Sequence, residues 1–112
     1  YNMSAETRLA TYGTLAPGRV NHHQISKLNG FWRKGIVKGR VLEEGWGAQH
    51  DCPGIILDPA GGPVDVYIFE SSDLARHWDR LDAFEGNEYR RTITKAECKD
   101  TTLEVSIYEL NL

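Results

Sequence analysis

Hydrophobic and polar residues alternate along this chain in short blocks, and glycine or proline breaks most of them. Residues 8–15, RLATYGTL, read as a strand entering a turn. Leu9 and Thr11 alternate with Ala10 and Tyr12, and Gly13 cuts the strand short. After APGR, the stretch NHHQISKLNG (21–30) has Asn21 as N-cap, Gln24 at capping-box spacing and Ile25 and Leu28 on one face. Gly30 is its stop, which predicts a short helix. Residues 35–44 read as a strand with Gly39 at a bulge or close contact, and 55–57 as a short strand. DPAGGP reads as a turn, and 64–70 as a strand with Val64, Val66 and Ile68 opposite Asp65, Tyr67 and Phe69.

The clearest helical period lies in SSDLARHWDRLDAFEG (71–86). Ser71 or Ser72 can cap it, Leu74, Trp78, Leu81 and Phe84 recur at helical spacing, and Gly86 ends it. Two strands close the chain: EYRRTITKAE, and LEVSIYEL with Leu103, Val105 and Ile107 on one face. Short strands outnumber helices, with glycines at several bends. This predicts an α+β fold: a strongly curved mixed sheet, closed or nearly closed into a β-barrel, flanked by two helices.

Length and composition narrow the picture. At 112 residues a single domain over 1–112 is expected. With 40% hydrophobic and 26% charged residues the chain is ordinary for a globular protein. A formal charge of −3 gives no electrostatic reason to expect nucleic acid or an anionic membrane as partner. No apolar run approaches the ~20 residues of a bilayer span. Cys52 and Cys98 match no disulfide framework and are read as reduced thiols of a cytoplasmic protein.

Two places carry candidate chemistry. Glu85 is the last residue before the glycine that ends the helix, where the macrodipole is negative. An exposed carboxylate is disfavoured there by about 0.3–1 kcal/mol, and burial would add to that. Both effects move it toward the range of a general base; the plain alternative is a solvated residue at a helix end. The loop after the first strand can leave the N–H groups of Gly13, Thr14 and Leu15 convergent, a concavity that takes carboxylates or phosphates; alternatively it is an ordinary turn. No phosphate-loop signature is present. His22 and His23 are adjacent and would point about 100° apart on a helix, a poor chelating pair. His50 and Cys52 have no second cluster at zinc spacing, so no metal is expected. Tyr89, Arg90 and Arg91 follow the helix and can face Glu85 or an acidic substrate. Alternation puts the two arginines on opposite faces, so at most one lines the same site. Trp32, Trp46 and Trp78 are read as core or pocket wall.

YGTLAPG (12–18) and LDAFEGNEYRR (81–91), with PGIIL, VYIFE and the closing YEL between and after them, resemble the γ-glutamylcyclotransferase-like superfamily. The resemblance spans nearly the whole chain. It implies a small mixed α+β fold on a closed or nearly closed barrel. It also implies a loop of Tyr12, Gly13, Thr14 and Leu15 whose backbone binds a γ-glutamyl group, and Glu85 as the acid/base; Tyr89, from its position directly after the helix, is counted with the substrate-binding residues. The implied reaction is attack of the substrate's α-amine on its own γ-carbonyl, giving 5-oxoproline and a free amine, with no cofactor. The alternatives are a non-catalytic protein that binds small γ-glutamyl or carboxylate ligands, and a cyclotransferase acting on a specialised metabolite. Many members carry a glycine in the strand that here reads VDVYIFE, where this chain has Asp65 and Val66.

Overall fold

A computed structural model of the chain describes residues 4–12, 25–42, 54–87 and 89–111. Among these, six strands form one sheet: β1 (Arg8–Thr11), β2 (Phe31–Leu42), β3 (Gly54–Leu57), β4 (Gly62–Glu70), β5 (Tyr89–Cys98) and β6 (Thr101–Leu110). β1 pairs with β4, β4 with β2, β2 with β5, β5 with β6, and β6 returns to β1, so five strands close a barrel. β3 is the extra strand, antiparallel to β2 at residues 39–42 and touching β6 in parallel at Ile55 and Glu109. The β1–β6 contact is also parallel, which makes the sheet mixed. The α+β barrel expected from the pattern is therefore present.

Alternation sorts side chains to the two sides of this sheet. Ala10, Val37, Val66, Ile68, Ala96, Val105 and Ile107 fill the barrel with Ile55 and Cys98. Their chain neighbours Leu9, Phe69 and Tyr108 point outward and pack with Ile25, Leu74, Trp78 and Leu81. The faces read from VDVYIFE and LEVSIYEL are those observed. Val66 pairs across the ladder with Gly35, so its branched side chain lies opposite a residue that has none.

The predicted strand at 35–44 begins earlier, at Phe31, and ends at Leu42. Its first residues follow no alternating pattern; they are held by the ladder to β4, from Phe31 opposite Glu70 to Gly39 opposite Gly62. Gly39 is a close contact: a Cβ there would lie 2.5 Å from the Ile56 carbonyl oxygen. β1 stops at Thr11. The turn expected in DPAGGP closes with Gly61 N–H donating to Asp58 C=O (2.8 Å) and Ala60 N–H to the Asp58 carboxylate (2.9 Å).

Both predicted helices are modified. Residues 25–28 form a turn rather than the end of a helix, with Leu28 N–H donating to Ile25 C=O. So short a helix has little stability of its own. Here the chain is drawn into β2 by Ser71 Oγ donating to Asn29 C=O and by Asn29 N–H donating to Asp73. Gly30 is not a helix stop: a Cβ would lie 2.2 Å from Glu70 C=O, so close approach demands glycine. The first half of that segment, with Asn21 to Gln24, lies outside the described residues.

The second helix is broken in two. Ser71 Oγ accepts from Asp73 N–H and starts a 3-10 helix, Ser72–Arg76; after His77 comes α1, Trp78–Glu85. The break shifts the apolar stripe, so Leu74, Trp78 and Leu81 are buried while Phe84, expected on the same face, is 39% exposed. No described helix is long and apolar enough to cross a membrane.

Candidate active site

α1 ends at Glu85, and the residue after it fixes how the chain leaves. Gly86 sits at φ 82°, a left-handed conformation that side chains resist, and its N–H donates to Asp82 C=O (3.1 Å). The helix therefore stops right after Glu85, and the chain turns into β5, where Tyr89 N–H reaches back to Gly86 C=O.

Glu85 is largely withdrawn from water, and that desolvation pushes its carboxyl up to about 7 from an ordinary 4.5. Its charge is felt by the phenols of Tyr12, at the end of β1, and Tyr108, on β6, and burial and Glu85 both raise those phenols. Tyr89, on β5, is in electrostatic reach of Tyr12. Glu85, Tyr12 and Tyr89, three of the residues singled out in the sequence, thus stand together, and Tyr108 joins them. Residues 13–15, with Gly13, Thr14 and Leu15, lie outside the described residues, as do His22, His23, Trp46, His50 and Cys52. Cys98 is buried and free. Among the described residues no three His, Cys, Asp or Glu side chains could hold a metal ion.

Tyr12 has a role that its place in a loop motif does not announce. Its hydroxyl donates to Tyr108 C=O and accepts from Ile55 N–H (3.1 Å), tying β1, β6 and β3 at one point. Beside it lies Glu109. It continues the inward face of Leu103, Val105 and Ile107 in β6, and that register was the signal for a buried carboxylate there. Glu109 accepts from Thr92 Oγ1 (2.7 Å), Arg90 Nε (3.2 Å) and Leu57 N–H (3.3 Å), filling the seam where β3 leaves the barrel ladder.

The two arginines diverge as alternation requires. Arg90 serves Glu109, whereas Arg91 donates to both oxygens of Asp82 (2.9 and 3.2 Å) and lies 4.5 Å over the Trp78 ring. Asp82 also accepts from Tyr108 Oη (2.6 Å). Burial works to raise the Asp82 carboxyl, but Arg91 and Tyr108 outweigh it and hold it below its usual value. Trp78 is buried and Trp32 half-buried against the same outer cluster, walls rather than exposed platforms.

Glu85 is thus a largely buried carboxyl at the end of a helix, in a fold built on a small mixed barrel. The family model described as gamma-glutamyl cyclotransferase, AIG2-like, matches residues 9–112. The chain belongs to this family. No curated protein sequence matches it. Among solved structures, YkqA from Bacillus subtilis superposes with a TM-score of 0.73 at 22% identity, over 95% of this chain and 36% of that one. An AIG2-like protein from Mus musculus gives 0.71 at 21% identity, covering 92% and 76% of the two chains. PH0828 from Pyrococcus horikoshii gives 0.66 at 20%, covering 93% and 77%. The chain spans about a third of the length of YkqA. At these identities the likeness is one of fold.

Proposed function

We propose that the chain is a γ-glutamyl cyclotransferase, with Glu85 as the acid/base. The observation that carries this reading is the burial of Glu85 beside Tyr12 and Tyr108, which raises its carboxyl to about 7. Membership of the gamma-glutamyl cyclotransferase, AIG2-like family supports the same class of chemistry.

The steps follow from what the reaction demands. The substrate's α-ammonium must lose a proton before its nitrogen can attack, and ionised Glu85 takes it. The amine then adds to the γ-carbonyl of its own chain, closing a five-membered ring and placing negative charge on the carbonyl oxygen. Protonated Glu85 passes its proton to the leaving nitrogen, the original amide C–N bond breaks as the carbonyl re-forms, and the ring nitrogen gives up its remaining extra proton, which the released amine takes as it becomes an ammonium. The products are 5-oxoproline and a free amine. A carboxyl poised near neutral can perform both transfers, whereas an ordinary glutamate would be a poor acid at that pH. Because attack is intramolecular, correct placement supplies much of the acceleration. Backbone N–H groups of Gly13, Thr14 and Leu15 would hold the substrate carboxylate or the developing oxyanion, with Tyr12 and Tyr89 forming the wall beside them. No step calls for a cofactor.

The base must be ionised, so activity should rise with pH through an acid limb centred near 7. The experiment is 5-oxoproline release from γ-glutamyl dipeptides and γ-glutamyl amines by the wild type and Glu85→Gln. Turnover undiminished in the variant would exclude Glu85. Binding of γ-glutamyl compounds without product would instead identify a small-molecule-binding protein.

A further inference from the structure

The last turn of α1 contains one side chain that is fastened to the sheet by polar bonds on several sides. Ala83 and Phe84 are exposed and offer no polar group, while Leu81 is buried in the outer cluster. Asp82 is different. Its Oδ1 accepts from Tyr108 Oη at 2.6 Å and Arg91 Nε at 2.9 Å, its Oδ2 from Arg91 Nη2 at 3.2 Å, and its backbone carbonyl from Gly86 N–H. Arg91 is on β5, Tyr108 on β6, and the two residues face each other across that ladder. The guanidinium is further pinned over Trp78, whose indole N–H donates to Glu6 C=O (3.0 Å). The fork geometry of Arg and the short, charge-assisted phenol bond fix a direction as well as a distance.

Asp82 lies three residues before Glu85, so the two are neighbours on the helix surface. Holding one holds the other. We propose that Asp82, gripped by Arg91 and Tyr108, is the positioning residue that keeps the Glu85 carboxyl withdrawn from water beside Tyr12. The same pairing has an electrostatic consequence. A bare aspartate one turn from Glu85 would repel it, but Arg91 neutralises that charge, so the raised value of Glu85 comes from desolvation. It also assigns Arg91 to the helix rather than to an anionic substrate. The groups that act on this corner from every packed element are Tyr12, the residue after β1, Tyr89 and Arg91 of β5, Tyr108 and Glu109 of β6, and Asp79 and Asp82 of α1. The inference rests on reading Glu85 as the acid/base, but its test does not need turnover.

The test is the titration of Glu85 itself, by carbon NMR of glutamate-labelled protein, the Glu85 carboxyl being assigned by its loss in Glu85→Gln. The charge-balanced double variant Asp82→Ala/Arg91→Met removes the grip, the acceptor for Tyr108 Oη included, without leaving a lone charge. Its Glu85 midpoint should fall from near 7 by about one pH unit, a tenfold loss of proton affinity, as the carboxyl reaches water. Tyr108→Phe alters no charge and keeps the ring in place; its midpoint should fall in the same direction by a smaller step. An unchanged midpoint in both variants while they remain folded overturns the proposal, even if both melt earlier, because a merely structural ion pair would lower Tm alone. If the double variant does not fold, Tyr108→Phe decides by itself. Where the wild type releases 5-oxoproline, the acid limb of kcat should move down by the same step with KM little changed. A wild type without product would refute the functional reading while the midpoints still judge the positioning.

Discussion

Replacing Glu85 by Gln should make the protein more stable at alkaline pH and change little in acid. The folded carboxyl titrates near 7 and the unfolded one near 4.5. A group whose folded value is raised binds its proton more tightly in the folded state, so folding stability is highest where both states are protonated. It then falls as pH rises from 4.5 through 7, and it is level above that. The full span of about 2.5 pH units corresponds to on the order of 3 kcal/mol at 1.36 kcal/mol per unit. Between about pH 5 and about pH 8 the expected change is about 2.5 kcal/mol, since part of the loss has already occurred at the lower value. Glutamine cannot ionise and does not pay it. Asp82, held low by Arg91 and Tyr108, has the opposite dependence, with stability lost in acid, but it is common to both proteins and cancels in their difference. The assay is urea unfolding of wild type and Glu85→Gln at the two pH values, with the slope checked for constancy. The gap between the two proteins should widen by about 2.5 kcal/mol in favour of the variant at the higher pH. A pH-independent gap would refute the burial of an ionisable Glu85, and with it the physical basis for a base poised near neutrality.

Tyr12→Phe removes a hydroxyl that serves Tyr108 C=O and Ile55 N–H together, and should cost about 1–3 kcal/mol by urea unfolding. Gly86→Ala forces a side chain into a left-handed conformation and should cost about 1–2 kcal/mol, with a larger loss of turnover than of stability because Glu85 is its neighbour. Glu109→Ala breaks charge-assisted bonds to Thr92 and Leu57 and should destabilise by about 1–3 kcal/mol. Its ion pair adds little to that, because Arg90 remains free to meet water; equal stability of the variant would show the seam does not depend on Glu109.

The barrel was largely legible in the sequence because alternation in β4 and β6 must match an inside and an outside, and a slip of one residue would bury Asp65 or Glu104. What escaped was set by partners distant in the chain. Phe31 to Lys34 belong to a strand only because β4 lies alongside, and residues 25–28 fail to be helical because Asn29 is tied to Ser71 and Asp73. The break at His77 was invisible to a period of 3.6 residues, which carried Phe84 onto the wrong face. At the candidate site, Glu85 could be picked out because a carboxylate before a helix-ending glycine breaks a local rule. Asp82 and Tyr108 could not, since the first looks like any helical aspartate and the second like any strand tyrosine until β5 and β6 bring Arg91 between them. Glu109 is legible from the alternation, since it extends the inward face of Leu103, Val105 and Ile107 in β6 by one more step.

The most direct measurement is 5-oxoproline release from a panel of γ-glutamyl dipeptides and γ-glutamyl amines, with Glu85→Gln alongside. Product from the wild type, lost in a folded variant, is the predicted result. Equal product from both, or none from a wild type that binds these compounds, would contradict the account.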